Sequence, residues 1–370
     1  MATNTTNRMS KKQNPAVQRF KTDDTDNQTA RKGSVKYFNK AKSEKNDEFY
    51  TILADIEREL RHYKKHFKNK VVLCNCDDPR VSNFFHYFAY NFEQLGLKKL
   101  VATCYKNQNA DLFSEHKSER AIYLEYTGDK NRNSIPDPKE IGIKQLKGDG
   151  DFRSEECIKL MKQADIIVTN PPFSLFREYV AQLVKYEKKF LIIGTWSVIT
   201  YKGIFKLIKE NRMWVGINSN RNFSGFIVPK HYSLHGTEAR VDENGNRIVS
   251  TNTTCWFTNL DIDKRHEDLI LFKKYNKTEY PKYDNYDAIE VSKTADIPMD
   301  YAGVMGVPVT FLDKYNPQQF EIIGCNRDVA QDPDRVYGRG SMLNGKETFK
   351  RLFIRNKQIG QGKCKSRSKK

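Results

Sequence analysis

Apolar residues spaced three or four apart open the patterned part of the chain. Ile52, Ile56, Leu60, Tyr63 and Phe67 make one face of a helix predicted from Asp47 onward. A short apolar run at Val71–Cys74 reads as a strand, and the polar turn Asn75-Cys76-Asp77-Asp78-Pro79 follows it. A second helix carries Val81, Phe84, Phe85, Phe88, Phe92 and Leu95 and stops at Gly96. Lys99–Cys104 is the next strand. Strand, helix, strand predicts a parallel sheet with crossover connections. The pattern continues through strands at Ala121–Tyr126 and Ile141–Leu146 and a helix at Ser154–Ala164. It runs on through a buried strand at Asp165–Thr169, a helix from about Ser174 and a strand at Phe190–Gly194. Helix Tyr201–Glu210 and strand Met213–Ile217 complete it.

After residue 217 the style changes. Residues 218–260 read as a hairpin region with its turn at Asp242–Asn246, closing on Thr253–Leu260 as an antiparallel strand at the edge of the sheet. Beyond about residue 262 the chain is rich in Tyr, Asn and Pro, with short strands such as Phe320–Ile323, which predicts a smaller mixed module. Residues 1–46 are polar and without period and read as a disordered arm.

Composition narrows the function. At 370 residues and 38% apolar, the chain can bury a sizeable core. No run approaches the roughly eighteen uncharged apolar residues of a membrane span, and the polar N-terminal stretch lacks the apolar core of a signal peptide. Seven cysteines, an odd number at uneven spacing, predict reduced thiols in a cytoplasmic protein. Sixty-four Lys and Arg against forty-six Asp and Glu leave a net charge of +18, which points to a polyanionic partner, nucleic acid first. Charge carried only for solubility is the plainer alternative.

The strongest chemical signal is Asn170-Pro171-Pro172-Phe173 at the end of an apolar strand. In open α/β sheets ligands bind off the carboxyl ends of the strands. An exocyclic amine is a poor nucleophile because its lone pair is delocalised. The Asn170 side-chain oxygen and the Pro171 carbonyl can each accept one of its N–H bonds, drawing the nitrogen toward tetrahedral geometry. Two prolines stiffen the turn and bring no competing N–H, and Phe173 can stack on a flipped base. A rigid strand-ending turn is the plainer reading of the same four residues. His62 and His66 lack a third ligand nearby, and Cys74-x-Cys76 has no second pair, so no metal is expected.

Asn-Pro-Pro-Phe after an apolar strand resembles the catalytic motif of S-adenosylmethionine-dependent amino-methyltransferases. Further stretches resemble the EcoRI-type adenine-specific (N6) DNA methyltransferase family in particular. They are Asp47–Thr51, Cys74–Pro79 with Ser82–Phe85, Val168–Arg177, Met305–Tyr315 and Leu343–Lys346, within a likeness covering about residues 36 to 357. The resemblance implies a doubly wound α/β methyltransferase sheet with an antiparallel edge strand and a smaller C-terminal recognition module. It divides the chain into an arm (1–46), a catalytic domain (47–261), a target-recognition module (262–357) and a basic tail (358–370).

The implied reaction is methyl transfer from S-adenosyl-L-methionine to N6 of an adenine flipped out of duplex DNA. Asn170, Pro171, Pro172 and Phe173 would be the catalytic residues. Tyr50, Asn75, Asp77, Asp78, Pro79, Asp149 and Phe152 would surround the cofactor. Asp77 and Asp78 read equally as a helix N-cap, and Asp151 competes with Asp149. The glycine-rich form that most relatives of this wider class carry after the first strand is absent here. Methylation of RNA adenine or of a protein glutamine, and a catalytically dead DNA-binding fold, are the alternatives. A companion restriction endonuclease fits the family, and GAATTC is the first site to test.

Overall fold

The computed structural model describes residues 49–76, 82–104, 121–133, 136, 140–219, 223–228, 239–250, 253–326 and 340–359. The N-terminal arm, Asp77, Asp78, Pro79 and the tail from 360 lie outside the described residues.

The first element of the described residues is an extended pair, β1 (Tyr50–Thr51), where the periodicity predicts helix. These residues pair antiparallel with Ile227 and Phe226, and that long-range ladder overrides the local pattern. Helix α1 (Leu53–Leu60), a 3-10 turn (Arg61–Tyr63) and the one-turn α2 (Lys64–Phe67) then carry the expected apolar face. Its residues Ile56, Leu60, Tyr63 and Phe67 are fully buried. Strand β2 (Val71–Asn75), helices α3 (Asn83–Tyr90) and α4 (Phe92–Leu95), and strand β3 (Lys99–Thr103) follow. Gly96 closes α4 in the left-handed conformation at φ +62°.

Next come β4 (Ile122–Tyr126), β5 (Gly142–Gln145), α5 (Glu155–Gln163) and β6 (Ile166–Thr169). The Ser154 hydroxyl accepts from the Cys157 amide and caps α5. Helix α6 (Phe176–Lys185), strand β7 (Lys189–Thr195), helix α7 (Lys202–Lys209) and strand β8 (Trp214–Ser219) continue the series. Strands β9 (Phe226–Val228), β10 (Ala239–Val241) and β11 (Arg247–Val249) join β1 in a small sheet of order β1-β9-β11-β10. Asp242 holds the turn between β10 and β11 by accepting from Asn244 and Asn246. Strand β12 (Thr254–Thr258) then returns to the large sheet.

That sheet has eight strands in the order β5-β4-β3-β2-β6-β7-β12-β8. Strands β3, β2, β6 and β7 are parallel. Two expectations are corrected here. Strand β12 is antiparallel as predicted, but it lies between β7 and β8 rather than at an edge. All five of its residues are buried, which suits an inner strand. Strand β4 does not extend the parallel series; it pairs antiparallel with β3, and β5 antiparallel with β4. The fully exposed β5 is a true edge.

Both faces of the sheet are covered. Leu73, Ile167, Phe190 and Ile192 pack with Tyr179, Val180 and Leu183 of α6 and Ile204 and Ile208 of α7. Their strand neighbours Val72, Cys74, Val168, Leu191 and Ile193 pack with Ile56 and Leu60 of α1 and Phe84 and Phe88 of α3. Burial on both sides explains why these strands read as unbroken apolar runs. The result is a mixed α/β architecture compatible with a methyltransferase fold.

The C-terminal strands are β13 (Ala288–Glu290), β14 (Val304–Pro308), β15 (Phe320–Cys325), the hairpin β16 (Met342–Leu343) with β17 (Lys346–Glu347), and β18 (Arg351–Asn356). Four of them form a sheet of order β13-β14-β18-β15. Its residues Met305, Val307, Phe320 and Ile354 belong to the same apolar cluster as α7, so one core runs from the large sheet into this one.

Candidate active site

Strand β6 is buried at every position and stops at Thr169, because Pro171 and Pro172 have no N–H to continue a ladder. The Thr169 hydroxyl donates to the Asn75 carbonyl, which ties the ends of β6 and β2 together. A 3-10 turn (Phe173–Leu175), closed by the Leu175 amide on the Pro172 carbonyl at 2.9 Å, leads into α6. Asn170 is therefore held at the carboxyl end of the sheet, and it is only 7% exposed.

The two ends of its amide are treated differently. The Nδ2 donates to the Phe49 carbonyl at 2.7 Å. The Oδ1 is buried and has no hydrogen-bond partner among the described residues. An unpaired buried acceptor costs about 1–3 kcal/mol, and such an atom calls for an explanation. A ligand N–H would satisfy it.

An aromatic wall stands beside it. Phe173, half-buried, stacks on Phe49 at 5.9 Å and 23° and meets Phe226 edge-on at 6.0 Å. Phe49 and Phe226 are brought together because β1 pairs with β9. Two buried carboxylates of α1 fix the segment leading to Phe226. Asp55 accepts from the Ser224 amide and hydroxyl and from Arg58. Glu59 accepts from Tyr63, from the amides of Ile217 and Asn218, and from the Asn218 side chain. Burial pushes both carboxyls above their usual range, and these donors oppose the shift.

Of the expected cofactor residues that are described, Asn75 ends β2 and Asp149 lies by the end of β3, while Tyr50 is on β1. Asn75 is buried, and its Oδ1 accepts from the Tyr179 hydroxyl. Cys76 follows at φ +83°, a left-handed turn for a non-glycine residue. Tyr50 is half-buried on β1. Asp149 is placed by its neighbour: Gly150 has φ +78°, and a Cβ there would lie 2.1 Å from the Cys104 carbonyl oxygen. That contact lays the Asp149 loop against the end of β3.

Asp149 and Asp151 are distinguished by their partners. Asp151 is paired with Arg153 at 2.7 Å, and that guanidinium holds its carboxyl below the usual range. Asp149 accepts through Oδ1 from the Asp151 amide at 3.0 Å, while its Oδ2 has no bond among the described residues. This carboxylate suits an amine donor. Phe152 is 6% exposed, edge-on to Tyr179 at 5.0 Å, with the Arg153 guanidinium over its ring at 5.4 Å. Its ring is thus taken up by packing. Contacts run unbroken from Phe152 through Tyr179, Asn75 and Thr169 to Asn170.

The family model described as "Adenine-specific methyltransferase EcoRI" matches residues 37–367. The chain belongs to this family. It is 54% identical to the Type II methyltransferase M.EcoRI of Escherichia coli over 332 residues, 89% of this chain and 99% of the relative. It is 39% identical to the Type II methyltransferase M.MgeORF184P of Mycoplasma genitalium, over 87% of this chain and 99% of that one. Identity to the Type II methyltransferase M.MpnI of Mycoplasma pneumoniae is 38%, covering 87% and 98%. No solved structure matches. The protein is a site-specific DNA adenine methyltransferase.

Sequence reasoning missed Phe226 and Tyr179 as parts of the site, and it had Phe49 only within the stretch Glu48–Thr51 that resembles the region over the cofactor. Phe49 acts through its carbonyl, across 121 positions from Asn170, and a backbone atom leaves no trace in residue type. Alternation along β1 carries a faint signal, since Phe49 and Thr51 are buried and Tyr50 is not.

Proposed function

We propose that the protein methylates N6 of an adenine extruded from duplex DNA, with S-adenosylmethionine as the methyl donor. The buried, unpartnered Oδ1 of Asn170 carries this reading. Phe49 fixes the amide so that only the oxygen is left to accept. Asn170 Oδ1 and the Pro171 carbonyl accept the two N–H bonds of the adenine amine and localise its lone pair. These contacts strengthen as the nitrogen becomes tetrahedral, so they favour the transition state. Phe173, with Phe49 behind it, offers a flat face to the base.

Bound over the ends of β2 and β3, the cofactor would supply an electrophilic methyl group. Tyr50, Asn75, Asp77, Asp78 and Pro79 would hold its methionine side, and Asp149 its adenine amine through Oδ2. Phe152 would act from behind, by supporting Tyr179 and the Asp149 loop. We read 47–261 as the catalytic domain, a doubly wound methyltransferase sheet, and 262–357 as the target-recognition module. A restriction endonuclease acting on the same site is the companion this reading suggests.

The test is transfer of label from the methyl-labelled cofactor to a GAATTC duplex, to other duplexes, to RNA and to protein, in separate reactions. Duplex DNA should take the label, as N6-methyladenine. Labelling of RNA or of a glutamine side chain in its place would overturn the proposal.

A further inference from the structure

The hairpin β16–β17 and the residues after it have no part in the chemistry above, yet they are built with care. Asn344 and Gly345 turn it at φ +50° and +71°. Asp284 accepts from both of their amides, and Asn285 accepts from Met342 and donates to the Gly340 carbonyl. Ser341 and Thr348 close the base through their hydroxyls at 2.6 Å and through the Thr348 amide on the Ser341 carbonyl. A hairpin fastened at tip and base is a rigid mount.

What it presents is Phe349, which is 79% exposed. Its neighbour Lys350 reaches the Ser197 carbonyl at 3.4 Å. Ser197 lies in the 3-10 segment Trp196–Thr200, just beyond the carboxyl end of β7, next to the strand that ends in Asn170. The mount therefore holds Phe349 next in the chain to a side chain that touches the segment beyond β7, beside the candidate active site.

Exposed cations lie on these segments and beside them, together with the acids Glu178 and Glu347. Arg177, exposed on the first turn of α6, lies over the Tyr201 ring at 5.0 Å. Lys202 and Lys346 are exposed as well. A solvent-exposed phenyl ring flanked in the chain by Lys346 and Lys350 suits a polyanion with an apolar interior, which describes stacked duplex DNA.

We infer that Phe349 is an apolar wedge that enters the DNA stack beside the target adenine and holds the helix open when the base leaves it. This rests on the reading of duplex DNA as the acceptor. A wedge recovers part of the cost of unstacking and unpairing, and that cost is least where the target base is already mispaired.

Binding should be measured on two duplexes of one sequence, with the target adenine paired and mispaired, for wild type, Phe349→Ala and Phe349→Trp. The ring is exposed, so both variants should keep the wild-type melting temperature. Phe349→Ala should bind both duplexes about tenfold more weakly, because the ring fills the same gap in either complex, and with 2-aminopurine at the target position its complex should fluoresce less than the wild-type one. Phe349→Trp should stay close to wild type on both. Unchanged binding of Phe349→Ala, or weaker binding with undiminished 2-aminopurine fluorescence, would overturn the wedge. A wild-type protein that methylates no duplex at all would instead overturn the acceptor reading, and the wedge with it.

Discussion

The Asn170 side chain donates to the Phe49 carbonyl at 2.7 Å across 121 positions of sequence. This bond does more than anchor a loop. An amide side chain could turn either end toward a ligand, and a donor there would repel the N–H bonds of an adenine amine. Spending the nitrogen on Phe49 leaves the acceptor for the substrate.

Asn170→Ala should therefore lose at least about 100-fold in turnover, as for removal of a well-placed polar group in a dry site. Cofactor and DNA binding should change little, because the contact is strongest in the transition state. Single-turnover methylation alongside equilibrium binding would check this. A variant keeping more than about a tenth of wild-type turnover would remove Asn170 from catalysis.

Phe173→Ala should weaken base capture more than Phe173→Trp, since stacking on an aromatic is worth about 1–3 kcal/mol per base. The structure sharpens the point. Phe173 is supported by Phe49 and Phe226, so a flat replacement still has a wall behind it. Fluorescence of 2-aminopurine at the target position reports flipping. The same signal from Phe173→Ala as from wild type would show that the ring does not stack on the base.

How much of this was legible in sequence depends on range. The Asn-Pro-Pro-Phe turn and its strand are local, and β6 lies where the apolar run at Ile166–Thr169 puts it. Strand direction is a different matter. The residues of β4 suit either orientation, and their antiparallel pairing with β3 is a long-range ladder that the pattern does not encode. Strand β12 is similar: its antiparallel sense was readable, but its place between β7 and β8 depends on two ladders formed at a distance. Composition likewise could not separate Asp149 from Asp151. In the structure Arg153 pairs with Asp151, which leaves Asp149 as the acceptor proposed above.

Gly150→Ala tests the placement of Asp149. The new methyl would meet the Cys104 carbonyl oxygen at 2.1 Å on a backbone at φ +78°, so the loop must move. Cofactor affinity should fall together with thermal stability. Asp149→Asn should weaken the cofactor while leaving the melting temperature within a degree or so, because surface changes of this kind usually stay within about ±0.5 kcal/mol. Calorimetry with S-adenosylhomocysteine measures both variants. Unchanged affinity in Asp149→Asn would send the adenine amine to another acceptor.

Glu59→Gln probes the buried carboxylate of α1 that holds β8, the edge strand of the large sheet. Glu59 is fully buried and accepts four hydrogen bonds, two of them from backbone amides. A glutamine would turn an NH2 toward one of those donors, at a cost of about 1–3 kcal/mol. The pH dependence has a definite sign. Burial lifts the Glu59 carboxyl above its ordinary pKa of 4.5, so the folded state favours the protonated form. Its contribution to stability is then complete below the ordinary pKa and is lost as pH rises through the elevated one. Glutamine does not titrate, and the other carboxylates are common to both proteins. The melting-temperature gap between wild type and Glu59→Gln should therefore narrow as pH rises from about 5 to about 8. A gap that widens would mean that the four donors outweigh burial and keep the group ionised inside the fold.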